Sequence, residues 1–250
     1  LLELNKIYQG DCLKVMKQIP DKSVDLIVTS PPYNLGIDYG CYKDKIEINE
    51  YYNWCKCWLE ELYRILKDNC RFALIHYLSC GKSENRFAPL MSLNCIAEKI
   101  GFKHHGLAIW YDITLTKLTA WGSWLSSSAP YINSPFEGID ILYKGNWKRD
   151  GETNELNKEE FMMACSGIWK IAPEKNRNHP APFPKDLAKL IIKLLSKKND
   201  LVLDLFIGSG TTAIACMQTN RNFIGIELEP KYVDIANKRI ADFKQQLSLV

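Results

Sequence analysis

The sequence predicts an α/β fold built on a doubly wound, mostly parallel sheet, and three observations carry that expectation. Short apolar runs alternate along the chain with segments whose apolar residues recur at helical spacing. Toward the carboxyl end, the run 201–205, a loop holding Gly208 and Gly210, a helical stretch and a second run closing on Glu227 compose one βαβ unit with its ligand groups at the carboxyl edge. Toward the amino end, the β-rich run 24–28 stops at Thr29-Ser30-Pro31-Pro32-Tyr33-Asn34. Two adjacent prolines neither continue a central strand nor start a regular helix.

A chain of 250 residues buries a sizeable core, so one domain with an insertion is expected. No apolar run approaches the ~18 residues of a membrane span, and no signal peptide is visible, which predicts a cytoplasmic location without a membrane partner. The net charge of +3 permits a nucleic acid partner without demanding one. Nine cysteines form no CxxC pair and make no zinc-like spacing with the four histidines, so reduced thiols and no metal are expected.

In chain order, 6–9 is a short strand followed by Gly10-Asp11 and an amphipathic segment with Leu13, Val15 and Met16. Asp11 has two readings at this stage: the N-cap of that segment, or a carboxylate at a strand's carboxyl end that accepts a ligand's hydrogen bond. After the strand 24–28, the polar loop 35–48 is long enough to move and close over a substrate. Tyr52, Cys55, Trp58, Leu59, Leu62, Ile65 and Leu66 then recur at helical spacing over 50–67, with Asp68-Asn69 ending the helix. A strand at 71–76, a helix at 92–100 and a strand at 105–111 follow.

Periodicity fails over 113–136, where Trp121 and Trp124 either stack on bases or cover a core edge. The strand 138–143 restores it. The stretch 144–178 is polar, with Lys144, Lys148, Arg149, Lys170, Lys175 and Arg177 around an acidic middle of Asp150, Glu152, Glu155, Glu159 and Glu160. It is either a solvated excursion or a recognition insert whose basic flanks meet phosphates. The stiff segment 179–184 leads into a helix marked by Leu187, Leu190, Ile191, Leu194 and Leu195. Strand 201–205 with Asp204, a helix through Met217, strand 222–226 and a last helix opened by Pro230 complete the chain. The expected divisions are thus 1–143, 144–178 and 179–250.

The double proline fixes two consecutive φ angles, so Ser30 and Tyr33 are presented with little freedom left to lose. This stretch resembles the Ser/Asp/Asn-Pro-Pro-Tyr motif of methyltransferases acting on exocyclic amino groups. Asp204-Leu-Phe-Ile-Gly-Ser-Gly-Thr-Thr212 is similar to their S-adenosylmethionine loop, and Ile224-Gly-Ile-Glu227 to their ribose-binding segment. A dinucleotide-binding unit fits less well, because the third glycine of GxGxxG is missing. The motif order, with the catalytic stretch first and the cofactor loop last, resembles the circularly permuted β-group of DNA amino-methyltransferases.

The resemblance covers all but 144–178. It implies a Rossmann-like methyltransferase fold and a site-specific enzyme moving a methyl group from S-adenosylmethionine to the N4 amine of cytosine in duplex DNA. Serine rather than aspartate at position 30 leans that way, with adenine N6 as the alternative acceptor. It implies cofactor contacts from Asp11 (adenine), Phe183 (pocket lining), Asp204, Phe206, Gly208, Gly210 and Thr211 (methionine part) and Glu227 (ribose). Catalysis falls to Ser30, Pro31, Pro32 and Tyr33, the target base being flipped into the pocket. A cognate restriction endonuclease and a homodimer accompany many such enzymes. No cysteine follows a proline, so the Pro-Cys nucleophile of the cytosine-C5 enzymes is missing. The rival readings are a non-catalytic DNA-binding module, or transfer to RNA or a protein glutamine amide.

Overall fold

The computed structural model describes the chain except for residues 1, 39, 43, 82–85, 113–120, 124, 133–135, 152–154, 175–182 and 248–250. Trp124, Glu152, Lys175, Arg177 and the start of the stiff segment before Phe183 therefore lie outside the described residues.

The elements in chain order are β1 (Lys6–Gln9), α1 (Cys12–Met16), β2 (Val24–Thr29), α2 (Ile48–Ile65), β3 (Leu66–Tyr77), α3 (Pro89–Ile100) and β4 (Lys103–Asp112). There follow β5 (Trp121–Gly122), β6 (Pro130–Tyr131), β7 (Glu137–Tyr143), α4 (Lys158–Ala164), β8 (Ile168–Ile171) and α5 (Lys185–Leu195). The last four are β9 (Leu201–Asp204), α6 (Thr211–Gln218), β10 (Asn222–Glu227) and α7 (Pro230–Leu247).

Eight strands form one sheet in the order β1-β10-β9-β2-β3-β7-β4-β8. Only β7 runs antiparallel to its neighbours β3 and β4, and the other pairs are parallel. The winding turns back between β9 and β2: from β9 the chain proceeds through α6 to β10 on one side, and from β2 through α2 to β3 on the other. In open α/β sheets such a reversal leaves a crevice at the strands' carboxyl ends.

Alternation along the strands sorts the core into two clusters. Ile27, Phe72, Leu74, Leu203 and Ile224 face Trp58, Leu59, Leu62 and Leu93 of α2 and α3. Leu26, Val28, Ala73, Ile75, Val202 and Phe223 face Leu187, Ile191, Ala213 and Ile240 of α5, α6 and α7 on the other side. A parallel sheet covered on both faces must be apolar on both, which is why 24–28 reads as a continuous apolar run rather than an alternating one.

Several boundaries move. The helix expected at 50–67 is α2 and stops at Ile65, because β3 begins immediately and Leu66 already has extended geometry. Its pairing with β2 jumps from Val24↔Leu66 to Leu26↔Arg71, leaving a bulge in which Asn69 adopts φ 62° and bonds Lys144 and Asn146.

The 144–178 stretch also differs from a separate insert. Its β8 pairs with β4 in the main sheet, and α4 packs on α5. Two of its expected phosphate-binding cations are consumed internally. Lys144 is buried, its ammonium donating to the carbonyls of Tyr63 at 2.6 Å and Leu66 at 2.9 Å. Arg149 joins Asp200 at 2.5 Å and Asp25 at 3.1 Å, with Lys67 on Asp25 at 2.8 Å. These groups gather at the amino ends of β2, β3 and β9, the edge away from the crevice.

Loop 35–48, expected to move, is tied down where it is described. Buried Asp44 accepts the backbone N–H groups of Asn34, Leu35 and Ile37 at 2.8–3.1 Å, and the Asn34 side chain bonds both backbone groups of Ile46. Among the described residues no helix is long and apolar enough to cross a membrane, and no cluster of His, Cys, Asp or Glu could hold a metal ion.

Candidate active site

The crevice at the reversal is a cleft of about 1000 Å³ open to solvent, and both sequence motifs reach it. Ser30, Pro31, Pro32 and Tyr33 leave the carboxyl end of β2; Phe206, Gly208 and Thr211 leave that of β9; Glu227 closes β10 and Asp11 follows β1. Phe183 lines the same space. Of the expected site residues, Asp204 and Gly210 do not line it.

Each of these two has a different task. Asp204 is buried and accepts Thr29 Oγ1 at 2.9 Å, Thr212 Oγ1 at 2.6 Å and the Phe206 N–H at 3.2 Å, so it clamps the glycine loop to β2 and to the start of α6. Burial pushes its carboxyl up to about 6, against the pull of those donors. Gly210 is the N-cap of α6 at φ 84°, and a Cβ there would lie 2.9 Å from that of Ala236. Its missing side chain admits α7, not a ligand. Gly208, at φ 51°, is the glycine on the cleft wall.

Glu227 Oε2 accepts the Gly208 N–H and Oε1 the Glu229 N–H, each at 2.9 Å. One lone pair on each oxygen is left to accept a ligand's hydroxyls. Burial raises its pKa. The two readings of Asp11 hold together: its Oδ1 caps α1 through the Lys14 N–H at 3.2 Å, and the residue lines the cleft.

The proline corner is held from behind. Tyr51 OH donates to the Pro32 carbonyl at 2.8 Å and lies 3.0 Å from His76 Nε2. Since the hydroxyl's hydrogen goes to the carbonyl, His76 donates from Nε2, which leaves Nδ1 as a buried acceptor without a partner among the described residues. Burial pulls His76 down to about 3, so the ring is neutral. The Tyr33 ring stacks on it at 4.2 Å and 24°. Tyr33 OH lies 2.8 Å from Ser30 Oγ and donates to Glu137 Oε2 at 2.7 Å.

Trp54, Tyr42, His76, Tyr51 and Glu137 were not expected at the site. Trp54 stands in α2 one turn from Trp58, and its ring lies 5.6 Å from Phe206 and 5.7 Å from Tyr42. Helical spacing from Tyr51 through Trp54 to Trp58 was the signal for it. Glu137 carried no local signal, since its place depends on β7 running backwards.

A family model described as DNA methylase, with N6 and N4 amino specificity in its name, matches residues 24–238. The chain belongs to this family. The DNA methylase is 40% identical to the Type II methyltransferase M.MjaVI of Methanocaldococcus jannaschii over 64% of its own length and 82% of that protein's. It is 30% identical to the Type II methyltransferase M.BglI of Bacillus subtilis over 97% of its length and 87% of the relative's. Among solved structures, the DNA modification methylase TTHA0409 of Thermus thermophilus, in complex with S-adenosyl-L-methionine, aligns over 95% of this chain and 93% of its own, with 27% identity and a TM-score of 0.76. The cytosine-N4-specific PvuII DNA methyltransferase shares the fold, with a TM-score of 0.72 at 21% identity over 94% and 89% of the two chains.

Proposed function

We propose that this DNA methylase transfers a methyl group from S-adenosylmethionine to the exocyclic N4 amine of cytosine in duplex DNA, within a restriction-modification system. The observation that carries the reading is the meeting of the Ser30-Pro31-Pro32-Tyr33 corner and the glycine loop across one cleft, pinned by the Thr29–Asp204 hydrogen bond.

The cleft suits the cofactor. Glu227 offers acceptors for ribose hydroxyls, Trp54, Tyr42 and Phe206 offer an aromatic wall, and buried Tyr42 OH has no partner among the described residues. A polar ligand would satisfy that hydroxyl. Asp11 stands where an adenine amino group would find an acceptor, and Phe183 and Thr211 complete the lining. When bound, S-adenosylmethionine supplies an electrophilic methyl group on a sulfonium.

The chain's own residues supply the rest. An exocyclic amine is a poor nucleophile because its lone pair is delocalised into the ring. Ser30 Oγ and the Pro31 carbonyl accept its hydrogens, draw the nitrogen toward tetrahedral geometry and free the lone pair for attack. The Tyr33 ring, backed by His76, is the platform for a base flipped out of the duplex. Target recognition is assigned to the exposed part of 144–178, where Lys170 ends β8 on the cleft side of the sheet. The order of motifs is that of the β-group, and the Type II relatives favour a cognate endonuclease.

Mass analysis of nucleosides from DNA treated with the protein and labelled cofactor tests the reading. N4-methylcytosine is expected; N6-methyladenine would install the alternative acceptor, and label on RNA or protein but not on DNA would overturn the substrate. Ser30→Ala and Tyr33→Ala should abolish transfer while cofactor binding persists, and loss of both activities together would refute the assignment of roles.

A further inference from the structure

The hydrogen bonds behind Ser30 form a chain whose direction one side chain decides. Glu137, as a carboxylate, only accepts, so the single hydrogen of Tyr33 OH is committed to it at 2.7 Å. Tyr33 oxygen must then accept from Ser30 Oγ, 2.8 Å away. Ser30 thereby spends its hydrogen inward and turns lone pairs toward the cleft it lines. A protonated Glu137 has a hydrogen of its own and permits the reverse order: Glu137 to Tyr33, Tyr33 to Ser30, and the Ser30 hydrogen out to the cleft. In that state Ser30 competes for the amine's lone pair instead of binding its hydrogen.

We infer that Glu137 is a positioning residue that sets the direction of this chain and so makes Ser30 an acceptor toward the target amine. The inference rests on the proposed methyl transfer and adds to it what decides the competence of Ser30.

The surroundings make the switch operative near neutrality. Glu137 opens β7 opposite Tyr77 of β3 and Trp110 of β4. The titratable groups around it are Tyr33 from the proline corner, Tyr77 and neutral His76 from β3, and Tyr111 and Asp112 at the end of β4. Among the described residues no Lys or Arg pairs with it. Burial therefore raises its carboxyl to about 7, with Tyr33 alone pulling down.

The test is the single-turnover rate of methyl transfer to duplex DNA between about pH 5.5 and 9 for the unaltered protein, Glu137→Gln and Glu137→Leu, with cofactor affinity measured alongside. The unaltered protein should gain rate as pH rises, with an inflection near 7. E137Q cannot titrate and should lose that inflection, whereas E137L should run about tenfold slower or worse at the plateau with unchanged cofactor affinity. Infrared spectra of the protein alone should show one carboxyl titrating near 7 that E137Q lacks. An inflection that persists in E137Q, or its absence in the unaltered protein, overturns the inference and leaves the methylase reading standing. A protein that transfers no methyl to DNA at any pH overturns both. Asp204 and Glu227 titrate above their usual range too, so the comparison with E137Q decides, and it does so even if E137L fails to fold.

Discussion

The Thr29 hydroxyl donates to the Asp204 carboxylate at 2.9 Å, across 175 positions of sequence, and this bond makes one site of two loops. Both residues are buried, so neither can exchange its partner for water without cost. Asp204 favours its proton in the folded state, at about 6 against 3.8. Its contribution to stability is therefore complete below pH 3.8 and is lost as pH rises through 6. Urea unfolding of Asp204→Asn, compared with the unaltered protein across about pH 4 to 7, should show a shallower decline of stability with rising pH. An identical decline would mean that Asp204 titrates as freely as in the unfolded chain.

Gly210→Ala should lower stability by about 1–3 kcal/mol, from the positive φ and the contact with Ala236. Thermal melting of G210A alone and with Ala236→Gly separates the two causes. The second substitution should restore the steric part and leave the backbone part. Full loss in both would show that the helix contact is not limiting.

Arg149→Ala should unfold more easily by on the order of 3 kcal/mol, because Asp200 and Asp25 stay buried with fewer cations. DNA affinity and its salt dependence should not change, as the residue lies at the edge away from the cleft. A shallower salt slope would instead restore Arg149 to phosphate contact.

Glu227→Ala should weaken cofactor binding about tenfold to a hundredfold in calorimetry, the worth of one or two hydrogen bonds to a charged group. The loop N–H groups of Gly208 and Glu229 lose their acceptor in the same step. Binding at unaltered strength would place the ribose elsewhere.

What was legible in the sequence was local. The strand, glycine turn and acid of 201–227 occupy one βαβ unit, so spacing alone brings Gly208 and Glu227 to a single edge. The proline corner is equally local. The roles of Gly210 and Asp204 were less legible, because both depend on what packs behind the loop: α7 on one, Thr29 and Thr212 on the other. The charges of Lys144 and Arg149 were visible, but their direction was not. A cation's partner follows from strand order, and β7 carries Lys144 to the amino edge. Glu137 illustrates the same limit at the site itself, where its value comes entirely from pairing opposite Tyr77.

Because β7 alone runs against its neighbours, its first residue stands level with the last residues of β3, and the chain between Asp112 and Glu137 departs from and returns to the rim of the cleft. Residues could be added or removed between those two anchors without shifting any strand of the main sheet. A scaffold tethered in this way offers room to exchange one DNA target for another while the chemistry beneath is inherited intact.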